Sequence, residues 1–344
     1  MKPEVISTIY DETVARRKLP VNFQPKDLVL FEGELTRVIP PTQLLRFHEV
    51  LASPEGLLFK GTRILPESFA FPYHLDEWRY SSVLKFLAIN AFRRRRKIER
   101  EALWITDYWS TGYFHWLTDV LTRLFVVRDR LNDLLLVLPG KYEQLDVVKS
   151  TLKAFGVADV DFIGANEVVE FRSLVMPSHT APSGHFKDEA IRGVRDVLLS
   201  AYGDAGSEEK RLYITRSRAG RRRIVNEDEV TSVLRQFGFA TICAEDFSFA
   251  EQVAIFSRAR YIVSNHGAGL TNVLFMKDGG SVLELRHESD CVNNCYFTIC
   301  SALALNYFYQ TCAPQDPSAD PHDAHVVVDV DQLKNNLTLL LASA

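Results

Sequence analysis

Between Ala102 and Arg286 short apolar runs alternate with amphipathic stretches, and this rhythm restricts the fold more than any other feature of the chain. A buried run bounded by turn residues reads as a strand, whereas an apolar residue at every third or fourth position reads as a helix. ALWITD, LLLVLP, VDFIG and FRSLVMPS read as strands, with helices expected over Gly112 to Arg130 and Tyr142 to Phe155. The rhythm then restarts with RLYITRS, a helix opening at Asn226, ATICAE, a helix from Ser248, YIVSNH, a helix after Gly269, and SVLELR. Strands alternating with helices build parallel, doubly wound α/β sheets.

At 344 residues the chain exceeds what one hydrophobic core of roughly 250–300 residues organises. Two Rossmann-like halves are therefore expected, residues 1–185 and 186–344. Around their junction, between Pro182 and Lys210, a polar turn, a helix from Lys187 to Tyr202 and the loop GDAGSEEK read as the linker region. Ahead of Ala102 the pattern is less regular. Asp27 to Phe31 and Gly56 to Lys60 look β-like among Pro and Gly, as in hairpins or an extended lobe.

A net charge of −4 gives no global signal for nucleic acid, so none is expected as a partner. Five cysteines, an odd number without CxxC spacing, indicate neither a disulfide framework nor a zinc site. The opening residues lack the apolar core of a signal peptide, and no apolar run reaches spanning length, which suggests a cytoplasmic protein. The basic run Arg93 to Lys97 follows KFLAINAF, and the two together would form either an amphipathic helix touching anionic lipid or a solvated helix face.

Ligands of doubly wound sheets sit beyond the carboxyl ends of the strands. There YIVSNH runs into Gly267, Ala268 and Gly269, with Asn272 in the helix that follows. Small residues and a helix start suit a phosphate beside His266, but the same glycines also serve a plain tight turn. Arg216, Ser217 and Arg218 follow the strand ending at Thr215, where arginine can hold a diphosphate in bidentate fashion. The run Arg221 to Arg223 reads as a solvated face, and Asp228 and Glu229 as acids of a helix start. Glu284 closes its strand, placed either for ribose hydroxyls or for a salt bridge. In the first half His115 and Asp119, four apart, share a helix face: a general base, or a simple ion pair. The Asp-x-Asp triplets at Asp159/Asp161 and Asp329/Asp331 lie at the wrong strand end and at a helix cap, so no metal site is expected.

Taken together, YFHWLTDVLTRL, YITRS with RRRIVNEDEV, FSFAEQVAIFSRARYIVSNHGAGLTNVLFM and VLELR resemble glycosyltransferase family 61 over most of residues 102 to 290. The resemblance implies a GT-B fold, two Rossmann-like domains facing across a cleft, with the C-terminal helix Gln332 to Leu341 packed back on the first. It also implies inverting chemistry with neither metal nor cofactor. His266, Gly267 and Asn272, with Ser217, Ala268 and Gly269 around them, would flank the donor diphosphate. Arg216 would bind phosphate, Glu284 the ribose or base, and His115 and Asp119 would face the acceptor. The implied partners are a nucleotide-sugar donor, UDP-linked, and a glycan or lipid-linked glycan acceptor in bacterial surface polysaccharide (capsule) synthesis at the inner membrane. The alternatives are a non-catalytic GT-B scaffold in a glycan-assembly complex and a dinucleotide oxidoreductase. The oxidoreductase lacks GxGxxG after either first strand.

Overall fold

The computed structural model describes residues 3–204, 206 and 210–343, so positions 205 and 207–209 of the expected linker loop lie outside the described residues. The chain divides into two compact units. Residues 1–13 and 39–194 form the first, residues 14–38 and 195–344 the second.

The first unit is built on a mixed sheet. Val160–Ile163, Leu135–Pro139, Ala102–Leu103 and Glu167–Pro177 run parallel in that order, the βαβ part of the pattern. Thr42–Ala52 then pairs antiparallel with Glu167–Pro177, and Glu4–Tyr10 and Leu58–Lys60 pair antiparallel with it in turn. ALWITD forms only two ladder residues, yet Trp104 and Ile105 continue into the core at 0% exposure. Asp27 to Phe31, expected to be β-like, instead covers the end and C-cap of a 3₁₀ helix, Pro25–Leu30, with Pro25 fitting its first turn. Short apolar runs carry too little periodicity to separate the two states.

The basic run also departs from expectation. Tyr80–Ala91 is a helix, but Arg94–Ile98 is a strand parallel to Glu167–Pro177. Arg94 and Arg96 pair with Glu167 at 2.8 and 3.0 Å, and Arg96 also reaches Asp161 at 2.5 Å. Helix and run therefore form no single amphipathic element, and the arginines are answered by acids of the same sheet. Asp159 pairs with Arg100 at 2.5 Å, and Asp329 caps the last helix by accepting from the N–H groups of Asp331 and Gln332. Both triplets are thus engaged structurally.

Among the described residues the second unit contains a six-stranded sheet in the order Ala240–Ile242, Lys210–Ile214, Ala259–Asn265, Ser281–His287, Asn306–Pro314 and Val326–Val327. All neighbours are parallel except the last pair. Its central strands are buried along nearly their whole length, as sheets covered on both faces require. The helix Phe249–Ser257 begins with a reciprocal cap between Ser248 and Glu251. The last helix, Val330–Ala342, was expected on the first domain. Its buried Leu333, Leu337 and Leu340 instead join Val230, Val263 and Leu283 in the second unit's own core. Every third or fourth residue of that helix is apolar, and this stripe lies against the helix Glu227–Gln236 and the sheet.

Candidate functional site

In the second unit the chain leaves Ala259–Asn265 at the strand's carboxyl end and turns through His266 and Gly267. Gly267 is extended, and its role is spatial: a Cβ there would stand 1.8 Å from an Arg216 guanidinium nitrogen. A Cβ on Gly269 would lie 3.2 Å from the Ile214 side chain on the neighbouring strand. The stretch after Gly267 is not the amphipathic α-helix expected. Ala268–Phe275 winds as 3₁₀, and Leu270 to Phe275 are all buried, leaving no polar face.

Arg216 is half-buried and, among the described residues, donates to the backbone carbonyls of Arg222 and Arg221, each at 3.3 Å. Burial, then the neighbouring Arg222, pushes its pKa down. Arg222 is pushed down likewise by burial and by Arg221, and among the described residues its Nε has no hydrogen-bond partner. Among the described residues neither guanidinium has a salt bridge to a carboxylate. Arg222 was expected on a solvated face. Its neighbours differ from it, since Arg221 pairs with Asp323 at 2.7 Å and Arg218 pairs with Asp246 in the open. A positive φ of 54° at Arg222 reverses the chain there, a feature that a run of arginines does not advertise.

Beside this pair stands His266. Its Nδ1 bonds the carboxylate of Glu284, its ring packs edge-on against Tyr296 at 4.9 Å, and Tyr296 donates to Gly267 O at 2.6 Å. Nδ1 being engaged leaves Nε2 as the ring nitrogen for a ligand. Glu284 was expected at a ribose or base, but it is fully buried, one oxygen on His266 and the other accepting from Tyr307 at 2.5 Å. Burial pushes this carboxyl up, yet His266, Arg286 and the Tyr307 hydroxyl outweigh it and the net shift is downward. Glu284 therefore orients the imidazole from below. Asn272, expected beside the diphosphate, is also enclosed, its amide donating to Gln252 Oε1 at 3.1 Å and Gly269 O at 3.0 Å. Ser217 and Ala268 are exposed.

In the first unit Tyr113–Phe125 is helical, with a π turn over Trp116–Val120. Thr118 and Thr122 donate back to the carbonyls of Phe114 and Thr118, at 2.9 and 2.7 Å, competing with the ordinary ladder. π turns of this kind recur at functional sites. His115 Nδ1 lies 2.8 Å from Asp119 Oδ2, and the Ser183 hydroxyl donates to the same oxygen at 2.7 Å. Burial opposes charge on His115, but the bond to Asp119, then Asp119 and Asp107 as charges, prevail and raise its pKa. A Cβ on Gly112 would come within 3.2 Å of the imidazole, so glycine leaves the ring its place.

A second histidine–carboxylate pair went unseen in the sequence because its members are 72 residues apart. His179 Nε2 lies 2.8 Å from Asp107 Oδ2. Burial raises the Asp107 carboxyl, but His179, Arg123 and the Trp109 N–H bring it down to about 2. Arg123 is fully buried and donates through Nε to Pro177 O at 2.9 Å, and among the described residues its two terminal nitrogens have no hydrogen-bond partner. Burial lowers its pKa to about 10 against the pull of Asp107 and Asp119. Among the described residues no group of three or more His, Cys, Asp or Glu could hold a metal ion, and no helix is long and apolar enough to cross a membrane.

His115 and Asp119 in one unit, and Arg216 with the His266 turn in the other, all fall within one stretch of similarity to known proteins. Residues 113–283 match the family model described as Glycosyltransferase 61. That segment is therefore similar to glycosyltransferase 61 domains. Over 199 residues the chain is 25% identical to the beta-1,2-xylosyltransferase XAX1 of Oryza sativa subsp. japonica, covering 52% of this chain and 35% of that one. It is 40% identical over 115 residues to protein O-linked-mannose beta-1,4-N-acetylglucosaminyltransferase 2 of Bos taurus, covering 33% and 18%. It is 29% identical over 91 residues to the EGF domain-specific O-linked N-acetylglucosamine transferase of Mus musculus, covering 25% and 17%. The chain thus spans about a third or less of the length of these relatives. The matched segment ends at Leu283, one residue before Glu284.

Proposed function

We propose that this chain is an inverting, metal-independent glycosyltransferase of the two-domain GT-B type. It moves a sugar from a nucleotide-sugar donor, UDP-linked, to a hydroxyl of a glycan or lipid-linked glycan. The observation that carries the reading is the pair Arg216 and Arg222, half-buried without a salt bridge among the described residues, beside a histidine whose ring is fixed by a buried glutamate. Two unneutralised guanidinium groups held in place suit a diphosphate, and they offset the charge that develops as the nucleotide leaves. In the first unit Asp119 fixes the His115 ring through Nδ1, which leaves Nε2 to take the proton of an acceptor hydroxyl. The acceptor oxygen attacks the anomeric carbon as the bond to the diphosphate breaks. Surface-polysaccharide synthesis as the setting, at the inner face of a bacterial membrane, rests on the family resemblance. Five free cysteines suit a reducing compartment.

Arg216→Ala is expected to weaken UDP binding by about 1.5–3 kcal/mol in calorimetry, the range for a hydrogen bond to a charged group. Gly267→Ala should approach the same loss, because the new methyl occupies the place of the guanidinium. Hydrolysis across a panel of UDP-sugars should survive EDTA. Equal UDP affinity in wild type and Arg216→Ala would remove the donor site from this turn, and activity lost to EDTA and restored by Mn²⁺ would overturn the metal-free chemistry. Consumption of no donor at all would favour the scaffold reading.

A further inference from the structure

The segment FAFPYHLDEWRY, Phe69 to Tyr80, lies ahead of the matched domain and is dense in rings. These rings divide by environment. Phe69, with Trp78 against it, packs into a buried cluster with Phe59 and Phe86. Phe71, Tyr73 and His74 stay outside that cluster, and Phe71 and His74 meet Trp109, which comes from the loop ahead of the His115 helix. Phe71 and Tyr73 are stacked with centroids 5.4 Å apart, Tyr73 lies 4.6 Å from His74, His74 lies 4.7 Å from Trp109, and Trp109 lies 5.1 Å from His115. An unbroken row of rings thus runs from Tyr73, 56% exposed, to the imidazole that bonds Asp119.

The loop that presents Trp109 is held firmly. Asp107 accepts from the Trp109 N–H at 2.8 Å, Ser110 Oγ accepts from the Asp107 N–H at 2.8 Å, and the Tyr108 N–H donates to Ser68 O at 2.9 Å. Asp107 itself is anchored by His179. Immobilised rings lose little entropy when a ligand arrives, so their whole contact energy is available for binding.

We infer that this row is a carbohydrate-binding platform, the subsite that lays a pyranose ring of the acceptor glycan beside His115. The inference rests on the acceptor role given to His115 above. One face of a pyranose presents axial C–H groups, and an aromatic face carries the negative side of its quadrupole. Stacking of the two leaves the ring hydroxyls pointing outward at the rim, where one can reach His115 Nε2. A lipid tail or an apolar peptide could cover the rings but has no hydroxyl to present to the histidine–carboxylate pair at the end of the row.

The test uses the whole chain and the methyl pyranosides of xylose, mannose and N-acetylglucosamine as probes, read by saturation-transfer NMR and by titration. At least one glycoside should show saturation at its axial C–H hydrogens. Its affinity should fall by about tenfold in Trp109→Ala, the upper range for one aromatic contact, and largely recover in Trp109→Phe. Tyr73→Ala, at an exposed position, should weaken it as well. UDP titrated into the same samples should bind all variants alike, which shows that they are folded. No saturation of any probe in the wild type, or equal saturation in wild type and Trp109→Ala, overturns the platform. A chain that binds glycosides at Trp109 yet neither binds UDP nor consumes any UDP-sugar would keep the platform and discard the transferase.

Discussion

Replacing His115 with alanine is expected to lower kcat by about 10²–10⁴-fold, the range for losing a general base, with donor affinity nearly unchanged. The ring is set by one hydrogen bond to Asp119, and that carboxylate takes a second from Ser183. Its raised pKa fixes the sign of the pH dependence. The base form is neutral, so kcat should fall as pH drops through a value above the ordinary 6.5. Asp119→Asn removes the charge that outweighs burial, so the acid limb should move to lower pH while turnover falls less than in His115→Ala. If Asp119 takes the proton itself, the Asn variant loses as much as the Ala variant. Near-wild-type turnover in both would place the base elsewhere, and His179 with Asp107 would be the next pair to test.

A second large effect is expected from Glu284→Ala, this time in stability. Glu284 lies fully buried among His266, Tyr307 and the charge of Arg286. Arg286 is itself 1% exposed, held by Asn294 Oδ1 at 2.9 Å and by the carbonyl of Asp290, with its guanidinium over the Phe31 ring. Removing the carboxylate leaves the buried Arg286 guanidinium without its compensating charge and the His266 ring and Tyr307 hydroxyl without their partner. The cost should be about 3–5 kcal/mol, or roughly 6–20 °C in Tm for a unit of this size. Glu284→Gln keeps the shape and should lose less, yet it should still disturb the His266 ring. Calorimetry on the three proteins decides the matter. A Glu284→Ala chain melting with the wild type would mean that the carboxylate is not an essential part of this core.

The central parallel strands were legible because they are short, almost wholly buried runs, as in Leu135–Pro139 and Ala259–Asn265. The positions of Arg216 and His266 followed from the same reading, since a parallel strand has one ligand-facing end. What escaped depended on distance along the chain or on local backbone. Arg222 looked like a solvated charge because only its positive φ turns it inward. Asp107 and His179 meet only after the sheet brings their segments together. Glu284 stood at the right strand end, but nothing in its neighbourhood announced Tyr307, 23 residues on, as the partner of its second oxygen.

Residues 14–38 carry a consequence for how this protein is made. They belong to the second unit although they precede most of the first. Phe31 packs 4.9 Å from Tyr309 and 5.2 Å from Phe297, and the Asn22 amide donates to Tyr309 O at 2.7 Å and to Asn336 Oδ1 at 3.0 Å. On a ribosome adding about 5–20 residues per second, this segment waits roughly 15–60 s before its partners emerge. An apolar stretch with Phe31 at its centre is exposed meanwhile, open to chaperones and to aggregation. A gene cut between Val194 and Arg195 would deliver a second unit with a hole where Phe31 belongs. Supplying residues 14–38 as a separate peptide should restore it.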